Sequence, residues 1–326
     1  MFGYVDIYQV YNSGHKITSY ADSEIFEMLV SIDTANYGRQ VDVIASGELY
    51  KIINNKDNEK VENINLEPYL KTVRCHENYE YFIIDNWKPE DKVIRGIVRL
   101  VNINRNTFDY IYLNTGTYIE DFIFSPCGDN LLYFIERNDW ENEVYLKKIN
   151  FMRYQDYIDS EGRYDVTELC RLPKGTTSLT WGNDDTIYLA SPNEGTIMSY
   201  KIKNNKEKKW NIFAGNKNKQ AFLDGSEPSF YKPQKIKYVD NSLYIWDFNT
   251  LRKIIIENEK ISDCITLAGQ VSRGIEIKDI TMDYYKAEDI TFSYDELKLA
   301  DFDFVTIDGK YILLTDPIRG VIWKIE

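Results

Sequence analysis

Hydrophobic and polar residues alternate along much of this chain in short runs that are separated by polar turns. The C-terminal stretch DFDFVTIDGKYILLTDPIRGVIWKIE (301–326) has two alternating runs with Asp308-Gly309 between them. The stretch TSLTWGNDDTIYLASPNEGTIMSYKI (177–202) has the same pattern. Alternation with a period of two is typical of β-strands that bury one face. Both stretches therefore predict antiparallel strands joined by tight turns.

The two stretches also share the residues that interrupt them. Each ends in the pattern x-Pro-x-x-Gly-x-Ile, and three pairs are 125 residues apart: Pro192 with Pro317, Gly195 with Gly320, and Ile197 with Ile322. Proline cannot donate to a strand ladder and glycine tolerates positive φ, so both residue types belong in turns. The pattern recurs elsewhere, and the first strands of the units are predicted to begin near residues 40, 71, 119, 177, 234 and 301.

Repeated antiparallel units of this length predict an all-β fold, a β-propeller that forms one domain over residues 1–326. We expect six blades of three to four strands, with five or seven as alternatives. The alternating segment Tyr4–Tyr11 could pair with the last blade and close the ring. Residues 271–299 form the longest interval between units and are interpreted as an insertion. A short helix is considered only at Ser23–Ile32.

The segment from Phe213 to Ile254 carries a more specific signal. It contains, in order, Ala214-Gly215, Asp224-Gly225, Phe230-x-x-Pro233, Leu243-Tyr244-Ile245, Asp247 and Arg252-Lys253-Ile254. This order resembles the NHL repeat, a family of propeller blades, and the last blade resembles it more weakly. The resemblance implies a crossing between blades in which Phe230 is buried. Ser191 departs from the pattern, because it stands where the family has an aspartate.

Composition excludes several classes of function. The chain has 39 Lys and Arg against 52 Asp and Glu, a formal charge of −13, which opposes binding to nucleic acid. The four cysteines have no metal-binding spacing. Neither a signal peptide nor a run of 18 apolar residues is visible, so we expect no membrane partner and a cytoplasmic, monomeric protein unless a leader was removed.

Motifs of catalysis are also missing from the sequence. It contains no G-x-S-x-G and no glycine-rich phosphate loop, and its two histidines, His15 and His76, cannot supply three zinc ligands. The main prediction is therefore a non-catalytic scaffold without a cofactor that binds a protein or peptide, which could be basic. Its binding residues are predicted at the channel mouth and in the insertion, at Asp279, Asp283, Glu288, Asp289, Asp295 and Trp181.

Two alternatives remain open beside this prediction. The first is a calcium-dependent, lactonase-like hydrolase or lyase with its site in the central channel. Calcium needs several oxygen ligands from different inner strands, and the candidates are Asp42, Asp121, Asn183 and Asp303. The second is a carbohydrate-binding module that uses Trp181, Trp246 and Trp323, although these residues could equally fill the space between blades.

Overall fold

The computed structural model describes strands between Ile17 and Gly269 and between Phe304 and Ile325. Side chains are described between residues 117 and 267, except at 128, 130, 139–140, 151–165, 204–205 and 249, and for Ile312. Outside that span, the description covers the strands alone. None of the described residues lies in a helix, so no described helix could cross a membrane.

The strands follow one another with short connections in most of the chain. The first twelve are β1 (Ile17–Asp22), β2 (Leu29–Ala35), β3 (Gln40–Ala45), β4 (Glu48–Ile53), β5 (Asp57–Lys60), β6 (Leu70–His76), β7 (Tyr79–Trp87), β8 (Arg95–Asn102), β9 (Thr107–Thr115), β10 (Thr117–Phe124), β11 (Leu131–Asn138) and β12 (Glu143–Asn150). The others are β13 (Thr167–Leu172), β14 (Ser178–Trp181), β15 (Thr186–Ser191), β16 (Thr196–Lys201), β17 (Asn211–Gly215), β18 (Pro233–Val239), β19 (Ser242–Asp247), β20 (Thr250–Glu257), β21 (Lys260–Gly269), β22 (Phe304–Ile307), β23 (Tyr311–Asp316) and β24 (Val321–Ile325).

The described strands form six antiparallel sheets of four strands each. Sheet 1 is β2–β5, sheet 2 is β6–β9, sheet 3 is β10–β13, sheet 4 is β14–β17, sheet 5 is β18–β21, and sheet 6 is β22–β24 with β1. The first strands contact each other in the order β2, β6, β10, β14, β18 and β22, and β22 contacts β2. This arrangement confirms the predicted all-β propeller fold.

Three details of the prediction differ from the structure. The segment beginning at Gln40 is the second strand of its sheet, and the first strand, β2, begins at Leu29. The helix considered at Ser23–Ile32 is wrong where it overlaps β2, because LVSIDTA alternates with a strand period. The strand that joins β24 is β1, with Ile17 opposite Ile325. The expected pairing segment Tyr4–Tyr11 and the insertion 271–299 lie outside the described residues.

The hydrophobic core lies between neighbouring sheets. One cluster joins sheets 3 and 4 and includes Ile135, Leu146 and Leu189, none of which is exposed. A second joins sheets 4 and 5 and includes Ile245 and Phe230. Phe230 is fully buried there, which confirms the sequence-based expectation for this residue. Burial of apolar surface between sheets supplies the main force that holds adjacent blades together.

Polar side chains connect the first strands of three successive sheets. Ser178 donates its hydroxyl to Asp121 at 2.8 Å, and its oxygen accepts the amide of Ile236 at 3.3 Å. Thr180 likewise accepts the amide of Tyr238 at 3.0 Å. The bonded residues are 57 or 58 apart in sequence. These bonds give a partner to polar groups that the packing of one sheet on the next would otherwise bury without a hydrogen bond.

The crossing from sheet 4 to sheet 5 is held by one buried arginine. Arg252, on β20, is fully buried and donates to Asp247 at 3.1 Å, to Asp224 at 3.0 Å and to the carbonyl of Ser229 at 2.7 Å. Its guanidinium carbon also lies 4.6 Å from the centre of the Phe230 ring. Asp247 accepts further bonds from the amides of Tyr231 and Lys232. The buried charges are therefore paired and hydrogen-bonded, as burial requires.

A glycine at the start of this crossing is required by the close approach of two backbones. Gly215 has a φ of 87°, and a Cβ there would lie 2.3 Å from the carbonyl oxygen of Gly195. The Ala-Gly pair in the sequence motif therefore marks a position that no other residue can fill without displacing the backbone.

Candidate functional site

The turns that join the first and second strands of sheets 3, 4 and 5 lie together on one end of the fold, which we call the turn face. In sheet 4 the turn centres on Asp184 and Asp185, and in sheet 5 it centres on Asp240 and Asn241. All four have a left-handed φ between 46° and 55°. Asp and Asn tolerate this conformation, which tight hairpin turns need at both central positions. The side-chain amide of Asn183 donates to Asn241 at 2.5 Å and joins the two turns.

A cavity of about 570 Å³ opens on the turn face, beside the ends of the first strands. We call it the turn-face cavity. Its lining includes Phe124, Cys127, Trp181, Asp184, Asp185 and Tyr238. This volume lies within the range of small-molecule sites, and the lining combines aromatic faces with a few polar groups, as such sites do.

A second cavity, of about 290 Å³, forms a groove between sheets 4 and 5. We call it the inter-sheet groove. Its lining includes Thr186, Tyr188, Ser199, Lys201, Phe213 and Glu259, and it shares Asn183, Asp184 and Tyr238 with the turn-face cavity. Lys201 and Glu259 form an exposed ion pair across it at 3.0 Å. The two cavities thus meet at residues from the turns of sheets 4 and 5.

Aromatic packing fixes the rings that line these cavities. Trp181 meets the ring of Tyr133 edge to face, with centroids 5.3 Å apart. Tyr238 stacks on Tyr188 at 5.8 Å with an angle of 13° between the rings, and its hydroxyl donates to Asn241 at 3.0 Å. Aromatic pairs of this kind hold each other in a defined orientation. The cavity walls are therefore ordered by contacts within the protein.

The pKa values of three side chains near the two cavities are raised. Burial raises the pKa of Tyr188 to about 12, and the nearby phenol of Tyr238 and the carboxylates of Glu259 and Asp184 add to the effect. The pKa of Tyr238 is also raised, first by burial and then by charges that include Asp184. The pKa of Lys203 is raised by its hydrogen bond and ion pair with Asp185, at 2.7 Å. For both tyrosines burial is the largest cause and the carboxylates add to it, whereas the pKa of Lys203 is raised first by its hydrogen bond with Asp185.

Two of the four predicted calcium ligands, Asp121 and Asn183, have described side chains, and both bond to groups of the protein. Asp121 is fully buried, and its carboxylate accepts bonds from Ser178, the amide of Leu179 and its own neighbour Phe122. Asn183 lies on the turn face and bonds Asn241.

The side chains of the other two candidate ligands, Asp42 and Asp303, lie outside the described residues. Asp42 is on β3, the second strand of sheet 1, whereas the prediction needed a first strand. Asp303 lies outside the described residues. Among the described side chains, no group of three His, Cys, Asp or Glu could hold a metal ion. The calcium ligand set therefore stays a prediction.

The predicted binding residues divide into two groups. Trp181 lies at the end of β14, is half-buried, and lines the turn-face cavity. The five acidic residues of the insertion, Asp279, Asp283, Glu288, Asp289 and Asp295, lie outside the described residues. Sequence reasoning did not find Asp184 or Tyr238. The sequence Asn183-Asp184-Asp185 is typical of a tight turn and could have indicated Asp184. The contact of this turn with sheet 5 joins distant parts of the chain and has no local signal.

Solved structures resemble this chain along nearly its whole length. A virginiamycin B lyase from Staphylococcus aureus is 13% identical, with a TM-score of 0.54 over 96% of this chain and 99% of its own. A putative gluconolactonase is 8% identical, with a TM-score of 0.55 over 97% and 93%. A calcium structure of Trichoderma reesei Carbohydrate-Active Enzymes Family AA12 is 9% identical, with a TM-score of 0.59 over 98% of both chains. No protein-family model and no curated protein matches the sequence.

These findings overturn the main functional prediction from the sequence. A non-catalytic scaffold for a protein or peptide was expected, but the similar structures are named as enzymes: a lyase, a putative gluconolactonase and a glucose dehydrogenase. The sequence argument failed because it looked for motifs of local sequence, whereas a propeller can assemble a site from residues on separate blades. At these identities, the likeness itself shows the β-propeller fold.

Proposed function

We propose that this chain is an enzyme that acts on a small molecule, as a hydrolase or lyase of the lactonase-like propeller type. The observation that carries the proposal is the full-length likeness to propellers named as a lyase and a putative gluconolactonase. The turn-face cavity supports it, because its volume of about 570 Å³ suits a small substrate. We assign the reaction to this cavity, at one end of the central channel.

The lining of the cavity suggests a role for three of its side chains. Trp181 and Tyr238 offer aromatic faces on which a substrate ring could stack. Asp184 is exposed at the wall, so its carboxylate can accept a proton from an attacking water or from a carbon next to a carbonyl. In this proposal Asp184 is the general base and the two rings orient the substrate.

Calcium binding is a separate part of the proposal, supported by the similar structure that is described as a calcium structure. Since the described side chains do not form the predicted ligand set, we derive no step of the reaction through calcium. The measurement is the melting temperature with calcium and with a chelator, because a ligand that binds only the folded state raises it. A melting temperature that is the same under both conditions would reject calcium binding.

The enzymatic proposal is tested by incubating purified protein with a panel of small lactones and with a cyclic depsipeptide ester. Hydrolysis is followed by proton release and lyase cleavage by chromatography. Asp184→Asn should abolish turnover at the cavity. Asp240→Asn is the matched control, because Asp240 occupies the same left-handed turn position in sheet 5 and lines neither cavity. Turnover that survives in the Asp184→Asn variant would remove this residue from the mechanism, and absence of turnover with every substrate would reject the function.

We also propose that residues 213–254 form an NHL-type crossing. The support is that Asp224, Phe230, Asp247 and Arg252, which carry the sequence resemblance, all contact one another through the guanidinium of Arg252. Replacing Asp247 and Arg252 individually and together, as set out in the Discussion, tests whether these two residues act as one unit.

A further inference from the structure

Asp184 lies where the turn-face cavity and the inter-sheet groove meet. It lines both cavities, as does Tyr238, and Trp181 lines the first of them. We call these three residues the junction. They come from different sheets, since Trp181 and Asp184 belong to sheet 4 and Tyr238 belongs to sheet 5. The junction is therefore formed only when the two sheets pack together.

Both rings of the junction are held from behind by other aromatic residues. The edge-to-face contact with Tyr133 holds Trp181, and the stacking on Tyr188 holds Tyr238. Each ring also contributes surface to the cavity. A ligand would therefore meet two aromatic surfaces that are already oriented, which lowers the entropy cost of binding.

The junction carries the negative charge of Asp184, which no described lysine or arginine neutralises. Asp185 is neutralised by Lys203 at 2.7 Å, but within the described part of the chain no lysine or arginine pairs with the adjacent Asp184. The exposed Asp184 carboxylate contributes to the raised pKa values of Tyr188 and Tyr238. A positive charge placed at the junction would be attracted by the Asp184 carboxylate.

We propose that the junction binds an alkylammonium group, so that ligands of this site carry an amine or a quaternary ammonium. The faces of tryptophan and tyrosine attract cations through their ring quadrupoles, and a carboxylate adds direct charge attraction. This inference uses the same cavity as the proposed function and adds the charged group that is recognised there. It would hold for a substrate, a product or an inhibitor.

The test compares two probes that differ in one atom. Choline carries a quaternary nitrogen, and 3,3-dimethylbutan-1-ol has carbon in that place with the same shape. Ligand-observed NMR on the full-length protein should show saturation transfer to choline and weaker transfer to the neutral alcohol. Choline binding should also weaken as salt is raised, because the site is partly exposed. Equal binding of both probes, or of neither, would overturn the inference.

Variants assign the binding to the junction. Asp184→Asn should weaken choline binding by about two- to fivefold, which is the change expected from loss of one exposed charge contact. Asparagine tolerates the left-handed φ of 55° at this turn, so the fold should be kept. Asp240→Asn should leave binding unchanged. Equal affinities of the Asp184→Asn and Asp240→Asn variants would overturn the assignment.

The outcome is separable from that of the enzymatic proposal. Choline binding is measured without turnover, and the lactone panel contains neutral substrates. Hydrolysis of neutral lactones by a protein that does not bind choline would reject the ammonium site alone. Choline binding by a protein that turns over no substrate would support the ammonium site and reject the enzymatic function.

Discussion

Replacing Arg252 by methionine should destabilise the protein strongly, because it leaves a buried carboxylate without its counter-charge. Asp247 is fully buried, and its bond to Arg252 is 3.1 Å long. The same substitution removes the donors to the Ser229 carbonyl and to Asp224. Methionine is a natural choice, since Met198 occupies the equivalent position of sheet 4 and is also fully buried.

The magnitude follows from how buried ion pairs behave when one partner is lost. Removing one member of such a pair costs about 3–5 kcal/mol, whereas replacing both by well-packed residues is often close to neutral. In sheet 4 a serine, Ser191, stands in the place of Asp247. The double variant Asp247→Ser/Arg252→Met should therefore be less destabilised than the sum of the two single variants, by about 2 kcal/mol. Part of the loss remains, because the amides of Tyr231 and Lys232 lose their acceptor.

Urea unfolding at equilibrium measures these free energies. Lys253→Met is the control, since Lys253 is the next residue, is half-buried and stacks on Tyr244 at 5.2 Å without a buried charge partner. It should cost less than about 1 kcal/mol. Additive single variants, with no coupling between Asp247 and Arg252, would refute the reasoning. So would a cost for Arg252→Met that is no greater than that of the control.

The pH dependence of the Arg252→Met variant provides a second check. Burial raises the pKa of Asp247, and the charge of Arg252 opposes this effect. Without Arg252 the folded-state pKa of Asp247 should rise further above its unfolded value. Stability linked to a raised pKa is present at low pH and is lost as pH rises through the folded-state value. The variant should therefore lose less stability at pH 5 than at pH 8.

Three further predictions concern other parts of the fold. Phe230→Ala should cost about 3–5 kcal/mol in urea unfolding, whereas Ile212→Ala, at an exposed site, should change little; equal costs would contradict the burial of Phe230 between sheets. Burial raises the pKa of Cys264 to about 12, so stability should fall as pH rises above about 8.5, where the unfolded thiol ionises, and Cys264→Ala should reduce that slope in pH-dependent melting. Deleting residues 1–22 removes β1 and leaves β24 as an unpaired edge, which should lower the melting temperature by several degrees; an unchanged melting temperature would show that this pairing adds no stability.

Most of the fold could be predicted because its signals are local. The short runs Thr186–Ser191 and Ser242–Asp247, which are rich in aromatic and aliphatic residues, mark strands, and Asp-Asp and Asp-Asn pairs mark the turns before them. Reliance on local signals also explains why the start of the first sheet was predicted wrongly. Its first strand, Leu29–Ala35, follows a segment with helix-forming residues, so the repeat was started one strand too late at Gln40.

The candidate site could not be predicted, because its parts meet only through the packing of sheets. Tyr238 and Asp184 are more than fifty residues apart, and nothing in the sequence around either one indicates the other. The surroundings of Asp121 could not be predicted either. A carboxylate on a first strand suggested a cation ligand, but Ser178 and the amide of Leu179, on the next sheet, supply its hydrogen bonds. A buried carboxylate can be satisfied by donors as well as by a metal ion.

The Asp247–Arg252 pair is explained by the length of the crossing that it holds. The chain passes from β13 to β14 through only residues 173–177, and sheet 4, which that crossing enters, has Ser191 and Met198 at the two positions. From β17 to β18 it needs residues 216–232. A longer connection loses more entropy when it is ordered, and buried carbonyls within it need donors.

Arg252 meets both needs, because its donors reach the carbonyls of Leu223 and Ser229 inside the crossing. Asp224 also connects the crossing to β21, because its carboxylate accepts a hydrogen bond from the amide of Thr266 at 3.1 Å. The charged pair is therefore a property of the long crossing and not of every blade. For this reason the aspartate and the arginine are absent together from sheet 4, and for the same reason the loss of both should cost less than the sum of the two single losses.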